Sequence, residues 1–155
     1  MRAWRYAAFG SIDSVLHIES VPAPQLGAHD VLVRTRFVGI NPLDWKLVEG
    51  QFRWLARSRP PCGVAAEFAG EIVDVGSKVE TLTPGQRVVC WLNPFVERPR
   101  ALAEQIAVPA AQCVRVPHEV TLEQAAVTPV AGLSALQLCD MDAPANAGQR
   151  CPVHR

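Results

Sequence analysis

The chain has 155 residues, of which 49% are hydrophobic and 19% charged, and its formal net charge at pH 7 is zero. A chain of this size can bury a substantial core as a single globular domain. Zero net charge argues against nucleic acid and anionic membranes as partners. No apolar run approaches the ~20 residues of a membrane span, and the first residues lack the apolar segment of a signal peptide. A cytoplasmic location is the resulting expectation.

The cysteines and histidines are scattered. The five cysteines include no Cys-x-x-Cys pair, and none of the four histidines has metal-ligand spacing to another His or Cys. Neither a structural metal nor a disulfide framework is therefore favoured. Cys90 and Cys113 fall within strand patterns and are most simply interpreted as small buried apolar residues.

The chain reads as a series of short strands separated by proline and glycine, a pattern typical of a β-rich barrel or sandwich. In the long strand 31–38, the alternation predicts one face formed by Val31, Val33, Thr35 and Phe37. His17 lies in the second strand and is predicted to face solvent. The predicted strands are 3–8, 15–21, 31–38, 67–75, a strand beginning at Arg87, 102–108 and 113–116.

Residues 39–46, Gly-Ile-Asn-Pro-Leu-Asp-Trp-Lys, join the long strand to a short helix. Asn41 is typical of a helix N-cap, and Pro42 then occupies the first helical position, where no donor is lost. Asp44 follows in the first turn, where a carboxylate favours the positive end of the helix. Gly50 is predicted to end the turn in a left-handed conformation.

Residues 51–61 are basic and aromatic and end in two prolines. One interpretation is a loop that faces substrate or cofactor, since arginine can bind phosphate. The favoured interpretation is a solvated loop whose aromatic side chains cover the core.

The C-terminal part of the chain is predicted to be helical. Thr121 and Gln124 form a capping box, so a helix begins there, and Pro129 must kink or break it. A second helical stretch is expected over residues 131–140.

Several segments, in this order, resemble motifs of the medium-chain dehydrogenase/reductase superfamily, and of its zinc-free quinone oxidoreductase branch in particular. They are 39–46 (Gly-Val-Asn-Pro-x-Asp-x-Lys in the family), 67–76 (Glu-Phe-Ala-Gly-Glu-Ile-Val-Asp-Val-Gly here), 84–88 (Pro-Gly-Gln-Arg-Val) and 121–138. The chain departs from the family at 101–104, which keeps Ala-Glu but lacks the usual glycine and aromatic residue.

The resemblance implies a mainly β fold, a chaperonin-10-like (GroES-like) partly open β-barrel with short helices. It places the catalytic domain at residues 1–128, and a linker helix with the truncated start of a nucleotide-binding domain at 129–155. The glycine-rich phosphate loop of the family is absent from the sequence. A premature stop, a frameshift and a deliberate truncation all fit this ending. The apolar side of the linker helix, which would pack on the missing domain, is expected to be exposed.

The implied function is NADPH-dependent transfer of hydride to a small molecule, namely a quinone or an activated alkene or carbonyl. The reaction is expected to proceed without zinc, since Ile40 or Asn41 and Ala66 stand where zinc-containing relatives have Cys and His. A homodimer is a compatible assembly. We expect the present chain alone to bind NADPH weakly and to be inactive, because the phosphate-binding helix N-terminus is missing. The alternative is a non-catalytic GroES-like module that binds a partner.

The resemblance implies catalytic roles for Asn41, Asp44 and Lys46. Asn41 would donate a hydrogen bond near the nicotinamide and substrate, a role compatible with capping the helix. Asp44 and Lys46 would orient the site. Their alternative roles are a helix-dipole carboxylate and a solvated lysine, and these are slightly favoured.

Cofactor contacts are implied for Asn41, Thr128 and Ser134, and the last could equally be an ordinary helix hydroxyl. Trp91 and Asn93 are expected to line the substrate cleft. No metal ligand is assigned.

Overall fold

The computed structural model describes residues 1–56, 59–98 and 100–141. Within these ranges the strands are β1 (Arg2–Tyr6), β2 (Leu16–Ser20), β3 (Asp30–Gly39), β4 (Cys62–Gly63), β5 (Glu67–Val75), β6 (Arg87–Trp91), β7 (Gln105–Pro109) and β8 (Cys113–Arg115). The helices are α1 (Ile12–Val15), α2 (Pro42–Val48), α3 (Leu122–Ala126) and α4 (Thr128–Met141), with a 3₁₀ turn at Ala110–Gln112. The side chains of 140 and 141 and the predicted segment beyond 141 lie outside the description.

The strands form two antiparallel sheets, one with the order β7-β3-β5-β6-β8 and one with the order β2-β1-β4. A single apolar cluster connects them, with Tyr6 of the smaller sheet and Phe68 and Ile72 of the larger one almost fully buried. Both sheets are open rather than closed into a ring. The predicted mainly β fold with short helices is confirmed.

The long strand differs from the prediction at one residue. Val31 and Val33 are fully buried, as the alternation requires, but Phe37 is 44% exposed. The pairing of β3 with β5 shifts between Thr35 and Phe37, and such a bulge inverts the alternation beyond it. Consequently Val38, and not Phe37, packs against the core.

The observed strand boundaries also differ from the predicted ones by a few residues. The first strand ends at Tyr6 instead of residue 8, and the predicted strand 102–108 is Gln105–Pro109. His17 is exposed on β2 and bonds to Glu19, which confirms its predicted orientation.

One aromatic side chain of the basic loop, Trp54, does not cover the core. Trp54 is 81% exposed and lies over Arg53, with 4.7 Å between the guanidinium carbon and the ring centroid. The favoured interpretation of this loop was therefore wrong for Trp54. Its function is not tested by the fold.

The C-terminal helices follow the predicted signals. The Thr121 side chain accepts from the Gln124 N–H at 3.1 Å, and the Gln124 side chain accepts from the Thr121 N–H at 3.0 Å. α3 ends at Ala126, and Pro129 lies in the first turn of α4, as its missing N–H allows. Among the described residues, none of the helices combines the length and the apolar character that crossing a membrane requires.

Candidate functional site

The candidate site begins at Asn41, between the end of β3 and the start of α2. Its extended backbone makes it the N-cap, and its N–H donates to Oδ2 of Asp44 at 2.7 Å. This bond satisfies a donor that the helix itself cannot pair. Gly50 closes the segment with a φ of 81°. The predicted capping unit is confirmed.

Glu67 is the residue that the sequence analysis missed. It is the first residue of β5, lies opposite Gly39 of β3, and is only 1% exposed. Its Oε1 accepts from Nδ2 of Asn41 at 2.7 Å, and its Oε2 accepts from the N–H of Val130 at 2.7 Å. One buried carboxylate thus connects residues 39–46, which we call the central segment, to α4. The available signal was a glutamate directly followed by the apolar residues Phe68 and Ala69 at the start of a predicted strand, because a charge buried with apolar residues requires partners.

The Val130 bond has a physical reason. Val130 lies in the first turn of α4, where N–H groups have no partner within the helix and the helix dipole favours negative charge. The Glu67 carboxylate therefore stabilises the start of α4 from a strand that lies 63 positions earlier in the chain.

Asp44 is the second buried carboxylate, at 4% exposed. The pKa of Asp44 is raised to about 6: burial is the main cause, the bond from the Asn41 N–H opposes it, and the negative charge of Glu67 adds to it. Among the described residues, no ion pair involves Asp44 or Glu67. The site consequently holds a carboxyl group that exchanges its proton close to neutral pH.

Replacing Asp44 by Asn is expected to change the pH dependence of stability, since the Asn side-chain oxygen can still accept the Asn41 bond. The unfolded chain releases the Asp44 proton near pH 3.8, and the folded chain near pH 6. The folded state binds more protons between these values, so the free energy of unfolding of the wild type falls as the pH rises through this window. Asp44→Asn should lack that loss.

Urea unfolding of both proteins at several pH values tests this expectation. The difference in unfolding free energy, variant minus wild type, should grow from pH 3.8 to about 6 and then level off. A difference that stays constant across this range contradicts the assigned environment of Asp44.

Lys46 lies outside this network. It is half-buried, and its Nζ lies 5.5 Å from the ring centroid of Trp45, a cation–π arrangement. The described contacts of Lys46 include none to Asn41, Asp44 or Glu67. Its proposed role at the site rests on the resemblance alone.

A largely apolar cleft of about 500 Å³ lies between α4 and the β6–β8 edge of the larger sheet. Three of the predicted residues, Trp91, Asn93 and Thr128, line it, together with Val89, Cys90, Gln112, Val114, Pro129 and Leu133. Ser134 is exposed on α4 and is not among the residues that line this cleft.

Two of the polar side chains that line the cleft form local hydrogen bonds. Thr128 Oγ1 donates to the Gln124 carbonyl at 2.8 Å, and Asn93 Oδ1 accepts from the Phe95 N–H at 3.0 Å. Among the described residues that line the cleft, none is a lysine or an arginine. The cleft therefore suits a flat apolar ring rather than the phosphate groups of a dinucleotide.

In the described ranges, no group of three or more His, Cys, Asp or Glu side chains is arranged to hold a metal ion.

The chain matches a known protein family. The sequence profile of the alcohol dehydrogenase GroES-like domain matches residues 27–118, more than half of the chain. The chain belongs to the alcohol dehydrogenase GroES-like domain family. This match covers the strands from β3 to β8 and all of α2, and so includes Asn41, Asp44 and Glu67.

Relatives of this GroES-like domain include quinone oxidoreductases. The chain is 35% identical over 137 residues to the chloroplast envelope quinone oxidoreductase homolog of Arabidopsis thaliana, covering 88% of this chain and 41% of that protein. The quinone oxidoreductase structure from Coxiella burnetii superimposes with a TM-score of 0.83 at 27% identity, covering 90% of this chain and 44% of that one.

A mycobacterial protein whose structure is in complex with NADPH superimposes with a TM-score of 0.80 at 28% identity, covering 96% of this chain and 43% of that one. These matches confirm the predicted superfamily and the predicted similarity to quinone oxidoreductases. They also confirm that NADPH binds to a full-length relative. The chain spans about 40% of the length of the curated relatives it matches.

Proposed function

We propose that this GroES-like domain is the substrate-side half of an NADPH-dependent, zinc-independent oxidoreductase that reduces a quinone or an activated alkene or carbonyl. The observation that carries the proposal is the Asn41–Glu67–Val130 connection. It fixes the central segment relative to α4, the helix that also borders the apolar cleft. Quinone oxidoreductase relatives and an NADPH-bound relative support the reaction class.

In this proposal the side chains of the domain bind and orient, and the nicotinamide supplies the hydride when it is bound. Asn41 keeps one amide N–H that the Glu67 bond does not use, and this N–H is available to a substrate or nicotinamide oxygen. Glu67 and Asp44 are positioning residues that act through Asn41. Trp91, Asn93 and Thr128 line the cleft that accepts an apolar ring, and Ser134 and Lys46 would contact the cofactor or polar substrate groups at its margin.

The phosphates of NADPH do not fit the residues described here, because the cleft contains no cationic side chain and the sequence has no glycine-rich loop. The proposed division is therefore a catalytic domain over residues 1–128, followed from residue 129 by a helix that leads towards a nucleotide-binding domain. The second domain would supply the phosphate site.

A hybrid protein tests the proposal. The chain through α4 is joined to the nucleotide-binding half of the Coxiella burnetii relative, and NADPH oxidation is followed with a benzoquinone and with an α,β-unsaturated ketone. NADPH binding to the hybrid, followed by fluorescence, shows that the joined protein is folded. We expect turnover of at least one substrate, and a loss of about tenfold in kcat/KM for Asn41→Ala, the equivalent of one hydrogen bond.

The matched control is His17→Ala, an exposed change on β2 that should leave kcat/KM unaltered. The 155-residue chain alone should show no micromolar affinity for NADPH, with NADH as comparator. A hybrid that binds NADPH but turns over neither substrate contradicts the proposed reaction. Micromolar NADPH binding by the chain alone contradicts the proposed division of labour.

Three exposed leucines of α4 favour a second candidate, a non-catalytic binding module or homodimer. Leu133, Leu136 and Leu138 are 48%, 57% and 66% exposed, and an apolar surface of this kind favours association. An inactive hybrid, together with a dimeric 155-residue chain in sedimentation velocity, would support this candidate over the enzyme.

A further inference from the structure

Two cysteines face each other across the β6–β8 pair. The register places Cys90 directly opposite Cys113. Three positions away in the same register, the Val116 N–H donates to the Arg87 carbonyl at 2.9 Å. Hydrogen-bonded and non-hydrogen-bonded pairs alternate along an antiparallel ladder, so Cys90 and Cys113 occupy a non-hydrogen-bonded pair.

This position brings the two thiols close enough to react. Residues of a non-hydrogen-bonded pair have Cα atoms about 4.5 Å apart, which lies within the range that disulfides span. The two Sγ atoms are 3.1 Å apart. The formation of an S–S bond requires them to approach by about 1 Å further, a movement within reach of small side-chain rotations.

The two thiols differ in their access to solvent. Cys90 is 1% exposed, and Cys113 is half-buried with its S–H directed to the Pro109 carbonyl. The hydrogen bond with Cys113 and burial together raise the pKa of Cys90 well above its ordinary value. Cys113 is therefore the thiol that an oxidant meets first, and Cys90 is the thiol positioned to resolve the product.

We propose that Cys90 and Cys113 form a redox modification site that closes reversibly to an intrachain disulfide beside the cleft. With a peroxide as oxidant, the Cys113 sulfur attacks the O–O bond and becomes a sulfenic acid, releasing one water. The Cys90 sulfur then displaces the sulfenic hydroxyl as a second water and forms the S–S bond. Two thiols lose two electrons and two protons in total, and the peroxide is reduced to two waters.

The location gives this modification a consequence. β8 is the edge strand of the larger sheet, and its bonds to β6 are what hold it there. Cys90, its neighbour Trp91 and Val114 next to Cys113 all line the cleft. A covalent bond between the strands would therefore fix one wall of the cleft.

The experiment uses the whole chain. It is treated with hydrogen peroxide, its remaining thiols are alkylated, and the protein is digested with trypsin. Trypsin cuts after Arg87, Arg100 and Arg115, so Cys90 and Cys113 fall in separate peptides, 88–100 and 101–115. We expect these two peptides to be joined, at a mass lower by two hydrogens than their sum, and the alkylated thiols to fall from five to three per chain.

Dithiothreitol should restore all five thiols. Cys113→Ser, a change at a half-buried position, should abolish the joined peptide. Cys139→Ser, a change at an exposed cysteine of α4, should leave it intact. The proposal is overturned if the wild-type peptides stay separate while Cys139 is oxidised, or if the disulfides that form all link two chains. Non-reducing gel electrophoresis of the oxidised wild type separates bonds within one chain from bonds between two chains, so the wild-type digest and gel together are decisive, whether or not the variants fold.

Discussion

Replacing Glu67 by Ala is expected to lower the free energy of unfolding by about 3 kcal/mol, because two hydrogen bonds to a buried carboxylate are lost together. The change leaves the Asn41 amide and the Val130 N–H without their acceptor at the centre of the site. Urea unfolding followed by tryptophan fluorescence should show a lower midpoint with an unchanged slope. Glu67→Gln retains one acceptor oxygen and should lie between Glu67→Ala and the wild type.

The matched control for this change is Glu71→Ala on the same strand. Glu71 pairs with Arg36 at 2.9 Å, but both side chains are more than a third exposed, and exposed ion pairs contribute about 0.5 kcal/mol. Equal losses for Glu67→Ala and Glu71→Ala would show that the buried carboxylate does not hold the central segment to α4. Glu67→Ala should also lower the pKa of Asp44, because the Glu67 charge raises it.

Gly39→Ala should be as damaging as the loss of Glu67, through steric overlap rather than a missing acceptor. A methyl group at Gly39 would overlap Oε1 of Glu67 and lie 2.7 Å from the backbone carbonyl oxygen of Ala126. Neither group can yield freely, because the carboxylate is held at both oxygens and the carbonyl belongs to the backbone. We expect a loss of about 3 kcal/mol in unfolding free energy, measured by urea unfolding.

Gly132→Ala in α4 is the matched control, a glycine-to-alanine change that should not lower the free energy of unfolding. Its added methyl group would meet the methyl group of Thr128 at 3.0 Å, and this exposed side chain can shift by the few tenths of an ångström that are needed. Alanine is favoured over glycine in a helix by about 1 kcal/mol, so this variant should be at least as stable as the wild type. A Gly39→Ala variant with wild-type stability would mean that the β3 and β5 ends are less closely packed than the structure shows.

The changes at Glu67 and Gly39 also bear on the proposed function. Both act on the orientation of Asn41, and neither removes it. In the hybrid protein, Glu67→Gln should therefore reduce kcat/KM while leaving the affinity for NADPH unchanged, because the phosphate contacts would lie in the second domain. An effect on NADPH affinity alone would instead assign Glu67 to the interface between the two halves.

Local signals in the sequence were sufficient for the starts of α2 and α3, whereas the short helix α1 was not predicted. The N-cap at Asn41, the proline at Pro42 and the capping box at Thr121 each act within one helical turn, and all three appear as predicted. The strand alternation was equally informative up to Thr35. Beyond it the prediction for Phe37 was wrong, because a bulge depends on how β3 pairs with β5, and a strand pattern does not contain its partner.

The resemblance to the medium-chain dehydrogenase/reductase superfamily could be recognised from short motifs in their order along the chain. The arrangement of the site could not, because it depends on contacts between distant residues. Glu67 bonds to partners 26 positions before it and 63 positions after it. Cys90 and Cys113 are 23 positions apart and meet only because β8 adds to the edge of β6. Burial makes the Glu67 carboxylate bond to distant partners and raises the pKa of Asp44. It arises only when the sheets and helices pack together, so it cannot be predicted from any single segment.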